Sequence, residues 1–190
     1  MVAGEASRTQ PKVVSQSPVD IVSDIDLTGE QFEAIADWLA VVDKERRPNA
    51  SNPIGQMRQY VIAPHVKWHP PEDPLYRRFN CVGFVIECYK SAGISVIDTE
   101  AELPDVDLAT LRKAYPGQLE KIELIKNDRV RQKLKEDLGI PGDGPWKIIL
   151  PGYVFRSLER ATPDTPRPPA YVPKELSEAH YPSDRSPVNR

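Results

Sequence analysis

Proline limits what this chain can become more than any other residue does. It locks φ, removes a backbone N–H, and ends helices and central strands; this chain of 190 residues contains 20 of them. That is about twice the usual share. Seven fall between Pro163 and Pro187, a density that predicts an extended tail over 163–190 rather than a second core. One folded domain is then expected over 28–162, behind an N-terminal arm over 1–27. A hydrophobic fraction of 39% and a charged fraction of 28% suit one soluble domain.

Several classes of function are disfavoured at once. The formal net charge is −3, and no run of Lys and Arg is interleaved with aromatics, so nucleic acid is not the expected partner. No stretch of about 18 apolar residues predicts a membrane span. The start, MVAGEASRTQPK, lacks the charged-then-apolar order of a signal peptide. A cytoplasmic chain is expected, with delivery by a secretion machine as the alternative. No glycine-rich phosphate loop occurs and no cofactor is expected. His65 and His69 have the i,i+4 spacing of helical metal ligands, but they stand in a segment broken by Pro64, so no metal site is expected either.

Local signals predict an α+β arrangement. Thr28-Gly29-Glu30-Gln31 has the form of a capping box, followed by Phe32, Ile35, Ala36, Leu39 and Val42 as one apolar helical face through about Glu45. Residues 58–68 read as an edge or irregular strand. Helical spacing returns at Cys81, Phe84, Val85, Cys88, Tyr89 and Ala92, and Gly93 is a natural C-terminal cap. Further on, Ile94–Ile97 reads as a strand, 98–106 as an acidic loop, 107–115 as a helix, Lys121–Ile125 as a strand, 128–138 as a helix with a solvated charged face, Trp146–Leu150 as a strand and YVFRSLER as a helix.

The chemistry concentrates in FNCVGFVIECYKSAGI, residues 79–94. Asn80 is a strong N-cap residue, which puts Cys81 in the first turn, where free amides and the helix dipole favour a thiolate. Gly83 leaves room for another strand or a substrate. Sharing a face with Phe84, Val85 and Cys88, the Cys81 sulfur is expected to point toward a sheet. Two readings stand: a nucleophile awaiting its base, or a buried packing cysteine. Cys88, two turns on, is expected in the core. The two are about 10 Å apart along one helix, too far for a disulfide. Trp38, Trp68 and Trp146 are expected in the core or as a cleft wall.

The run NCVGFVIECYKSAGI resembles the catalytic-cysteine helix of the papain-like superfamily that includes the NlpC-type cell-wall peptidases and amidases. LTGEQFEAIADWL and ILPGYVFRSLE are similar to segments of members in which the order of cysteine and histidine is permuted. The resemblance implies a papain-like α+β fold, with the cysteine helix packed on a small antiparallel sheet. It also implies hydrolysis or acyl transfer at a peptide-like amide or ester through an acyl-thioester on Cys81. The usual downstream histidine strand is missing, for His180 lies in the tail. His65 is therefore the candidate base and His69 its alternative. Asn80 and Tyr76 are candidates for an oxyanion or orienting role, with Gln59 and Asp73 as further orienters. An alternative is a catalytically silent papain-like domain serving as a binding or structural module. The tail could dock to a protein partner or wrap over its own domain.

Overall fold

A computed structural model describes residues 25–46, 61–68, 77–115, 117–162 and 164–179. Among these, six α-helices and four short strands occur in the order α1 (Gly29–Arg46), β1 (Val66–Trp68), β2 (Arg77–Phe79), α2 (Cys81–Ser91), β3 (Asp105–Val106), α3 (Leu108–Ala114), α4 (Gln118–Glu123), α5 (Asp128–Asp137), β4 (Trp146–Lys147) and α6 (Pro151–Glu159). A 3₁₀ turn at Leu176–Ala179 follows. The strands form two antiparallel pairs, β1 with β2 and β3 with β4. The protein is thus α+β, with helices supplying most of the walls.

The capping box forms: Thr28 N donates to Gln31 Oε1 at 3.1 Å and Gln31 N to Thr28 Oγ1 at 3.3 Å. The face of α1 that packs is not the expected one. Val42 is buried and Ile35 and Trp38 are half-buried, whereas Phe32 and Leu39 are exposed. Trp38 decides this. Its ring meets Phe84 at 5.3 Å and Phe79 at 6.0 Å, and the Arg77 guanidinium lies 5.7 Å above it. Such aromatic and cation–π pairs outweigh a stripe of small aliphatic contacts.

A core of Ile62, Val82, Ile86, Val96, Leu111, Ile140, Ile148 and Tyr153 lies among α2, α3 and α6, each large side chain contributing about 1.5–3 kcal/mol by leaving water. Lys121–Ile125, expected as a strand, is mostly helix. Gly117, at φ 73°, opens α4, and Leu119 and Ile122 are buried three residues apart. Strand structure after Trp146 stops at Lys147, because Leu150 is already the N-cap of α6. Ile94–Ile97 makes a single bridge, from Ile97 to Tyr171, and the acidic loop contains β3.

The folded body continues past residue 162. Tyr171 N donates to Val96 O at 3.0 Å, Asp98 N donates to Tyr171 O at 2.9 Å, and Pro173 is fully buried. The Tyr171 hydroxyl donates to Glu178 Oε2 at 2.7 Å, and Arg156 Nε to Glu178 O at 2.8 Å. The described part of the proline-rich segment, 164–179, straps α6 to the loop after α2. Burial, the Glu178 hydrogen bond and the Glu178 charge push the Tyr171 hydroxyl up to about 12. Tyr171→Phe should therefore lower stability by about 1 kcal/mol with the ring packing kept, read as a lower urea midpoint at unchanged slope; an unchanged midpoint would show that the strap does not depend on this bond.

Candidate functional site

The site is built around Asn80. It is 1% exposed, and its side chain works in two directions: Oδ1 accepts from Gly83 N at 2.6 Å as the α2 N-cap, while Nδ2 donates to Ile62 O at 2.9 Å. Its backbone N donates to His65 O at 3.2 Å. The amide is turned inward, so the oxyanion or orienting role expected of Asn80 gives way to a structural one. It ties the start of α2 to the chain just before β1. The far end of α2 is closed by a Schellman motif: Gly93, at φ 73°, donates to Lys90 O, and Ile94 donates to Tyr89 O.

Gly83 sets which way α2 faces. A Cβ built there would lie 2.6 Å from the His65 carbonyl carbon and closer still to its oxygen. The bare backbone lets the helix seat itself against His65, and the buried face is Val82, Gly83 and Ile86. Cys81 is thereby turned outward. It is exposed, contrary to the expectation that its sulfur points at a sheet, and Cys88 is half-buried rather than fully in the core.

The amides of Val82 and of Cys81 itself, and the hydroxyl of Tyr115 at the end of α3, act on the Cys81 sulfur to pull its pKa down. Each favours the thiolate. Desolvation by the surrounding protein is larger, and the thiol sits above its ordinary value, so the acidified thiol expected at a helix N-terminus is not what forms. Tyr115 was not legible as a partner from the sequence, because α3 lies far from Cys81 along the chain.

No hydrogen bond joins the His65 ring to Cys81 among the described residues. Gly83, against which His65 lies, is about 200° around the helix from Cys81. The charges acting on the His65 ring are Glu87, Lys90 and Glu100, and burial outweighs them to push its pKa down. His65 is thus half-buried, with its backbone on the Gly83 side of α2. His69, Tyr76, Gln59, Asp73 and His180 lie outside the described residues. Trp38 and Trp146 pack as expected, Trp146 buried with its indole N donating to Pro141 O at 2.9 Å. Among the described residues no three His, Cys, Asp or Glu side chains converge as metal ligands, and no helix is long and apolar enough to cross a membrane.

Compared with protein-family models, with curated proteins and with solved structures, the chain matches none. The site's own chemistry therefore carries the functional reading.

Proposed function

We propose that this protein is a thiol-dependent hydrolase or acyltransferase of papain-like type, acting on an amide or ester through Cys81. The observation that carries the reading is an exposed thiol in the first turn of α2, where the Val82 and Cys81 amides and the Tyr115 hydroxyl favour its thiolate. As thiolate, Cys81 attacks the substrate carbonyl carbon, and the negative charge moves to the carbonyl oxygen. Amides at the α2 N-terminus are the donors placed to hold that charge. The thiol proton goes to solvent water; collapse breaks the C–N or C–O bond, the departing amine or alcohol takes a proton from water, and the acyl-thioester left behind is cleaved by water or a second nucleophile.

A second reading is a non-catalytic papain-like module. It is favoured by the seating of the His65 backbone on Gly83, across the helix from Cys81, with Glu87 and Lys90 of α2 as charges acting on its ring.

The two readings separate by measuring iodoacetamide labelling of Cys81 and Cys88 against pH, peptide by peptide, alongside acetylation by p-nitrophenyl acetate. Because desolvation holds the thiol up, Cys81 should label with a midpoint above about 8.5, the free-thiol value. It should outpace Cys88 and carry the acetyl group. Tyr115→Phe removes a hydroxyl that favours the thiolate and should move the midpoint further up, while His65→Ala should leave it where it was. Labelling of Cys81 no faster than Cys88, with no acetyl-enzyme, would establish the non-catalytic module.

A further inference from the structure

A second cavity lies at the other end of α2, where the proline-rich strap crosses the loop after that helix and the start of α1. It holds about 270 Å³, the size of a small ligand site. Its walls are apolar where Ile94, Val96 and Pro168 face it, and polar where Gln31, Ser95 and Arg167 do.

Arg167 gives the cavity its chemical character. One guanidinium nitrogen, Nη2, donates to Asp26 O at 3.1 Å and to Gln31 Oε1 at 2.8 Å. Both acceptors are neutral, so the cation is held in place without being neutralised. Among the described residues no carboxylate pairs with it. Both two-pronged edges of the guanidinium include the engaged Nη2, so Nε and Nη1 remain as separate donors, and Nη1 is left to give an anion a charge-assisted hydrogen bond. A fixed, uncompensated Arg beside an apolar cavity is complementary to an anion with a short hydrocarbon body.

We infer that this cavity binds a small aliphatic carboxylate, its carboxyl group on Arg167 and its chain against Ile94, Val96 and Pro168. Cys81 is at the opposite end of α2, about 16 Å away along the helix axis, so this site stands or falls independently of the thiol chemistry.

Hexanoate and the isosteric alcohol hexanol are the probes, titrated into the isotopically labelled full-length protein and followed by amide chemical shifts. Hexanoate should bind with a Kd of about 1 mM or tighter, shifting amides of residues 93–96 and 166–170. Hexanol should bind about tenfold more weakly. Arg167→Gln should bring hexanoate down to the level of hexanol. Since Arg167 also contacts α1's entry, Ala161→Leu is a second variant; it fills the cavity from another wall with Arg167 retained, and should abolish hexanoate binding. The inference is overturned by equal affinity for hexanoate and hexanol, by shifts elsewhere, by no shift at about 10 mM, or by undiminished binding to Ala161→Leu.

Discussion

Gly83→Ala should destabilise the protein by about 3 kcal/mol or more, despite placing a better helix former inside a helix. Propensity alone favours the change by about 1 kcal/mol. Against this, the new methyl group lies 2.6 Å from the His65 carbonyl carbon and nearer its oxygen. The obstacle is backbone, which cannot rotate aside as a side chain does. Either α2 lifts off its buried face of Val82, Gly83 and Ile86, or the chain at His65 retreats and its carbonyl loses the Asn80 amide. Overpacking of this kind costs about 1–3 kcal/mol where side chains can adjust, and more where they cannot. Chemical denaturation reads the outcome; a variant as stable as the parent, or more so, would mean that α2 is not seated on His65.

Asn80→Ala is expected to cost about 2–4 kcal/mol. Loss of the N-cap contributes about 1–2 kcal/mol, and leaving the Ile62 carbonyl without its donor in a buried place contributes about 1–3 kcal/mol. The two bonds belong to one side chain that is 1% exposed. Asn80→Asp tells them apart: the acceptor for Gly83 N is kept, but the donor to Ile62 becomes a buried carboxylate facing a carbonyl. That variant should be at least as unstable at neutral pH. Burial raises the new carboxyl above its unfolded value, so part of the loss should return as pH falls, when the protonated acid can donate. A loss of only about 1 kcal/mol for Asn80→Ala would show that the cap contributes alone. Either substitution should also erase the labelling advantage of Cys81 over Cys88, because each dismantles the turn that presents the thiol.

These expectations concern residues whose local roles are plain from the sequence and whose partners are not. Asn80 as a cap, Gly93 as a C-terminal stop and the Thr28–Gln31 box are all legible, since capping joins groups within a few residues of one another. The position of Cys81 in the first turn follows from the same signals. Its orientation does not. The spacing of Cys81, Phe84, Val85 and Cys88 describes an apolar stripe as good as that of Val82 and Ile86, and Gly83 breaks the tie by admitting the His65 backbone. Likewise Phe32, Ala36 and Leu39 form a credible apolar face on α1, until Trp38 finds Phe79 and Phe84.

The strap shows the same division at larger scale. Proline density after residue 162 marks a segment of restricted φ, because the ring acts whatever surrounds it. That Tyr171 bonds to Val96 and Asp98, and that Arg167 is fixed by Asp26 and Gln31, depends on segments far apart in the chain. Hydrogen bonds within a turn, caps and proline restraints act over a few residues and leave their marks in the order of amino acids. The facing of a helix, the seating of the His65 backbone on Gly83, the influence of Tyr115 on the Cys81 thiol and the cavity beside Arg167 arise where distant surfaces compete for the same space, and close packing settles them only when the whole body is assembled.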